Sequence, residues 1–282
     1  NNATNGAGMY IKGSKTNITS GSNFIENQAV NGAGAFLEGS NTLVSGSIFE
    51  RNNATQGAGM YIKGSNTNIT SNSNFTENNA TDGAGIYIEG SNTKIIGSTF
   101  ERNNATHNGG GMYIKGNDTK ITQSSDFTQN NATNGGGMYI EGSNTVIEDS
   151  DFSQNNATNY GGGMYIKGNY TKITQESDFT ENYATTGGGM YIEGMNTLVS
   201  GSKFENNNAT ENGGGMFISG NNTKVTANSN FTENYATNGG GMFITGSSTE
   251  VSGSKFEKNN ATDGAGMYIT GNNTKVLSGS DF

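Results

Sequence analysis

One feature constrains this chain more than any other: it repeats itself. A strand-sized stretch, clearest as Gly135-Gly136-Gly137-Met138-Tyr139-Ile140-Glu141-Gly142, returns eleven times. The Gly before the strand stands at 8, 34, 59, 85, 111, 137, 163, 189, 215, 241 and 266, a step of 25 or 26 residues. A Phe followed three residues later by Asn keeps the same beat, from Phe24/Asn27 through Phe127/Asn130 to Phe256/Asn259, with a last Phe at 282. A fixed period of roughly 20–50 residues means a solenoid, propeller or array. A propeller blade needs about 40–50 residues for its four strands. The shorter repeat therefore predicts an all-β, single-stranded parallel β-helix (a β-solenoid) of about eleven coils over residues 1–282.

Composition agrees once the period is known. Hydrophobic residues are 30% and mean hydropathy is −0.64, which in an aperiodic chain would suggest disorder. A disordered chain has no reason to hold Phe and Gly at constant offsets, whereas stacked coils cover one another and need few inward side chains. Pro is absent, which suits a backbone committed to inter-coil ladders. Cys is absent, so no disulfide is expected. No run of about 18 apolar residues offers a membrane span. Without an initiator Met or a signal peptide, the chain reads as an excised segment or mature form. A net charge of −9 makes nucleic acid a poor partner.

Within a coil, side chains of a strand alternate between faces. Met138 and Ile140 share one face, Tyr139 and Glu141 the other. Burying Glu141 unpaired would cost several kcal/mol, so Met and Ile point in. By the same parity Thr145 and Ile147 point in, and a Thr stands at this place in every coil, from Thr16 to Thr274. The expectation is a buried Thr column satisfied by hydroxyl contacts along the stack, and an internal amide ladder of the Asn after each Phe. Each coil should hold two or three strands.

The outward face carries the sharpest pattern. The residue after each Tyr-Ile runs Lys12, Glu38, Lys63, Glu89, Lys115, Glu141, Lys167, Glu193. In-register parallel stacking sets such neighbours about 4.8 Å apart, where opposite charges help by roughly 0.2–1 kcal/mol and like charges repel. A second column, two residues after each Phe, runs Glu26, Arg51, Glu77, Arg102, Gln129, Gln154, Glu181, Asn206, Glu233, Lys258 and also alternates or goes neutral. The duplicated unit is thus read as a pair of coils.

These motifs, here GAGM, GAGI or GGGM with FIEN, FERN, FTEN, FTQN, FSQN, FENN or FEKN, resemble the GGA[ILV] and FxxN repeats of the chlamydial polymorphic outer membrane proteins and similar surface proteins. The resemblance covers all eleven coils. It implies a right-handed parallel β-helix, exported to the cell surface and used in adhesion.

Little catalytic chemistry is legible. The lone His107 sits in a polar loop with no nucleophile beside it. Glu148, Asp149 and Asp151 crowd one loop and read as a solvated charge cluster rather than a cation site. Met195 breaks a polar turn, and no calcium nonapeptide or phosphate loop is present. No cofactor, metal or catalytic residue is assigned, and the chain is expected not to be an enzyme.

Three outward features could carry function. An aromatic column (Tyr10, Phe36, Tyr61, Tyr87, Tyr113, Tyr139, Tyr165, Tyr191, Phe217, Phe243, Tyr268) would make an exposed strip roughly 50 Å long, a candidate interface. Asn-x-Thr acceptor sites recur at Asn2, Asn53, Asn79, Asn104, Asn131, Asn156, Asn208 and Asn260, each just after the inward Asn and hence outward. Both ends leave a coil open, which favours end-to-end pairing or continuation in a longer chain. The sequence is therefore read as a glycosylated, extracellular structural solenoid of a cell-surface fibre or filament. Its partners would be itself, flanking domains or glycans. The rival reading is a surface adhesin gripping host or glycan ligands; a polysaccharide-active enzyme comes third, and ice binding through the Ala-Thr column fourth.

Overall fold

The computed structural model describes residues 1–70 and 72–282; among them are strands and turns and no helix. The chain winds into a parallel β-solenoid in which each coil passes through four segments. The first sheet has eleven strands, from Met9–Ile11 to Met267–Ile269, and the second eleven, from Asn17–Ile18 to Lys275–Val276. The third has ten, from Asn23–Ile25 to Lys255–Glu257. A fourth pairs Asn2–Asn5 with Gln28–Asn31, joins six strands from Asn79–Asp82 to Asn208–Asn212, and is carried across other coils by single bridges. The fourth segment exceeds the two or three strands expected, because the Asn-Ala-Thr stretch also pairs with its copies and buries its Ala.

Pairing is parallel and in register. Tyr113 stands opposite both Tyr87 and Tyr139, and Phe100 opposite both Phe75 and Phe127. The corners explain why strands stay short. The second residue after each Phe sits in the left-handed region, as at Arg51 (φ 49°) and Glu77 (φ 55°), and so does the residue before each core Thr, usually Asn. Gly135 opens its triplet at φ +61°. Gly137 is required by proximity, since an added Cβ would stand 2.6 Å from the carbonyl oxygen of Gly163.

The interior is a set of columns. Met138, Ile140, Ile147 and Phe152 are fully buried, as are their copies in the central coils. The Phe rings stack along the axis from Phe24 to Phe282 at 4.5–4.9 Å, within 5° of parallel. The Asn ladder forms as expected. Asn52 accepts at Oδ1 from Asn27 and donates Nδ2 to Oδ1 of Asn78 and to the Phe24 carbonyl, which satisfies the amide completely.

The Thr column is buried, but its hydroxyls are not shared along the stack. Thr42 donates to the carbonyl of Gly39 (3.1 Å), and Thr67, Thr171, Thr197 and Thr223 do the same three residues back. The tight turn after the first strand offers a nearer acceptor within the same coil. A further buried column, Ser47, Ser73, Ser98, Ser125 and their copies, is missing from the sequence expectation although Ser stands two residues before every Phe of the stacked column.

Candidate functional site

The outer side of the first sheet gathers most of the predicted functional residues. Its aromatic column runs from Tyr10 to Tyr268 with ring centroids 4.7–5.2 Å apart, in stacked and edge-to-face contacts. The expectation of an exposed strip is corrected. Phe36, Tyr61, Tyr87, Tyr113, Tyr139, Tyr165, Phe217 and Phe243 keep only 4–9% of their surface, although Tyr10 keeps 48%. Each ring is covered by its neighbours along the stack, and Tyr160, just before the triplet Gly161-Gly162-Gly163, lies 6.0 Å from Tyr165. Parity places a side chain on a face but does not say what else lies over that face.

Burial also fixes the phenols. It pushes Tyr87 and Tyr139 up to about 12, with the Glu89 and Glu141 charges adding to it. Tyr61, Tyr113 and Tyr165 are raised further, because each hydroxyl also donates to a carboxylate of the next coil. Tyr61 reaches Glu89 at 2.6 Å and Tyr113 reaches Glu141 at 2.5 Å; Tyr10 and Tyr165 pair likewise with Glu38 and Glu193.

The alternating charges stack in one row, as Ile11 opposite Leu37 and Leu37 opposite Ile62 require. The direct ion pairs are Lys63–Glu38 (3.3 Å) and Lys167–Glu141 (3.5 Å). Glu38 and Glu141 are thus held from both sides, by a Tyr of the preceding coil and a Lys of the following one. Among the described residues Lys12 and Lys115 share the row without an ion pair. The second column pairs Arg51 with Glu26 and Arg102 with Glu77, both at 3.1 Å, and Lys258 with Glu233 at 3.7 Å. Gln129 donates to Gln154, and Gln154 to Glu181.

The eight acceptor-site Asn residues of the fourth sheet are all exposed. Five of their amides are joined by four bonds: Asn79 to Asn53, Asn104 to Asn79, Asn131 to Asn104 and Asn156 to Asn131, at 2.8–3.4 Å. This surface ladder follows from stacking identical amides and was not foreseen.

The acidic loop does not converge. Glu148 pairs with Lys120 (3.0 Å), Asp149 faces Ser124, and Asp151 lies in a row with Asp126 and Asp178. Among the described residues no three His, Asp or Glu side chains meet as metal ligands. His107 is exposed, inside the strand Asn104–Asn108 rather than a loop. Met195 is 44% exposed.

Rows of this kind, wound once per coil around a stacked Phe and Asn interior, define a β-solenoid repeat protein. A family model described as a right-handed β-helix region matches residues 1–127 and 84–256. The chain belongs to that family, and its coil is right-handed. No curated protein matches the chain. No helix among the described residues is long and apolar enough to cross a membrane.

Proposed function

We propose that the chain is a rigid, non-catalytic rod outside the cell, a segment of a surface fibre or filament that carries N-linked glycans. The observation behind this reading is the unbroken inner ladder, in which each Asn from Asn27 to Asn234 gives its side-chain amide and backbone N–H to the next. Such columns resist bending and contribute the same in every coil, which is what a spacer needs and an active site does not. Eleven coils at about 4.8 Å give a rod roughly 50 Å long. Further coils, of this chain or another, would extend the same rows. The acceptor-site row and the resemblance to surface repeats support export. The test is electron microscopy of native material with intact-mass analysis, and antibody labelling of unpermeabilised source cells. Straight fibres of raised mass labelled from outside are expected. Short unmodified rods retained inside cells would contradict it.

One observation limits the adhesin reading. The aromatic column is buried in the chain, so a ligand would have to bind where the rows break.

A further inference from the structure

The fourth segment ends in a row that flanks the aromatic column: Asn5, Asn31, Gln56, Asp82, Asn108, Asn134, Tyr160, Thr186, Asn212, Asn238, Asp263. Where Asn follows Asn, each donates to the one before it, whereas among the described residues Gln56 makes no side-chain bond to Asn31. Asn31 bonds Asn5, Asn134 bonds Asn108, and Asn238 bonds Asn212, at 2.9–3.0 Å. At Tyr160 and Thr186 this row is interrupted. The break leaves a mark on each side. Among the described residues the Oδ1 of Asn134 is buried without a partner. Asn212 accepts from Asn238 at Oδ1, and among the described residues its Nδ2 has no partner.

Tyr160 has crossed into the gap. Its ring lies nearer Tyr191 of the following coil (4.9 Å) than Tyr165 of its own (6.0 Å), and Thr186 beneath is 5% exposed. Tyr160 as a residue stays 40% exposed. Beside it opens a cavity of about 450 Å³, bounded by Tyr160, Thr186, Tyr191, Glu211, Asn212 and Phe217. That volume lies within the roughly 300–1,000 Å³ of small-molecule sites.

We propose that this cavity binds one pyranose ring of a neutral glycan. The chemistry selects that class. An open phenol ring offers an apolar face for the C–H side of a sugar. The Asn212 amide supplies N–H donors and the Glu211 carboxylate an acceptor, at the rim where sugar hydroxyls would lie. A quaternary ammonium would use the Tyr160 face and the Glu211 charge but would leave the Asn212 N–H groups without an acceptor, which a sugar hydroxyl supplies. The site rests on its own geometry and does not depend on assembly of the rod.

The test uses the intact chain with isotope-labelled Tyr rings, observed by NMR during titration with methyl pyranosides of glucose, galactose, mannose and N-acetylglucosamine, and with tetramethylammonium. Saturable shifts of the Tyr160 ring by at least one pyranoside are expected, at the millimolar affinity of about −4 kcal/mol that a single-ring contact gives. Tyr160→Asn should weaken binding at least about tenfold, or 1.4 kcal/mol, while the melting temperature holds or rises because the new amide donates to the stranded Oδ1 of Asn134. Glu211→Gln should weaken it without affecting folding. The proposal is overturned if no pyranoside moves the ring, if only tetramethylammonium does, or if Tyr160→Asn binds as well as the parent.

Discussion

Asn103 and Asn130 are joined twice: the backbone N–H and the Nδ2 of Asn103 both donate to Oδ1 of Asn130, each at 3.0 Å. Asn130 passes the same pair of bonds to Asn155 and a third to the carbonyl of Phe100. One side chain therefore serves three coils.

Replacing Asn130 by Ala strands these buried groups at once. Each buried unpaired group costs about 1–3 kcal/mol, so Asn130→Ala should cost about 3 kcal/mol or more. Asn259, only half-buried, should cost less. Because nearest-neighbour arrays open locally, hydrogen exchange is the measurement: protection should fall first in the coils holding Asn103, Asn130 and Asn155.

The Asp126, Asp151 and Asp178 row predicts stabilisation by mild acid. Burial holds all three carboxyls above their ordinary range, and charge within the row adds to the shift at Asp126 and Asp178. The folded state thus binds protons more tightly than the unfolded one. Stability from this row rises as pH falls through the raised values and levels off below the ordinary Asp value of about 3.9. Glu38 and Glu257 are held low, chiefly by hydrogen bonds from Tyr10 and Lys255, and work in the opposite sense. Melting curves of Asp151→Asn against the parent isolate the row: the variant should gain at neutral pH, and the difference should shrink toward acid.

The buried phenols set an alkaline limit. Their contribution is complete below the ordinary Tyr value of about 10 and is lost as pH rises through the folded values, which for Tyr87 and Tyr139 lie at about 12. Ultraviolet titration should show these rings ionising late and together with loss of structure. Tyr113→Phe should leave Glu141 to Lys167 alone and destabilise by about 1–2 kcal/mol.

Glycan occupancy should be sparse. Asn53, Asn79, Asn104, Asn131 and Asn156 stand in consecutive coils about 4.8 Å apart, and N-glycans are bulky. Glycopeptide mass spectrometry of native material should find neighbours in this run mutually exclusive.

Much of this was legible because a period of two inside a period of 25 or 26 decides most positions. Met138, Ile140, Phe152 and Asn155 could be placed inside, and Lys63 beside Glu38, without coordinates. What escaped depends on where one segment lies against another. Tyr139 is outward from its strand yet buried, because its stacked neighbours and a second row cover it. Thr42 finds its acceptor in a turn whose carbonyl direction no pattern reveals. The cavity beside Tyr160 could have been suspected, since Tyr replaces the polar residue other coils place there, but only the unpaired Oδ1 of Asn134 and Nδ2 of Asn212 show that the row is broken.

The vertical register itself is best tested by cysteine pairs, which this Cys-free chain allows without interference. Lys115→Cys with Glu141→Cys places thiols on neighbouring coils, at a Cα separation of about 4.8 Å inside the roughly 4.4–6.8 Å that a disulfide spans. Lys115→Cys with Lys167→Cys places them two coils apart. The first pair should close within one chain under mild oxidation and the second should stay reduced. A second pair that closes as readily, or a first that does not, would contradict in-register stacking of consecutive coils.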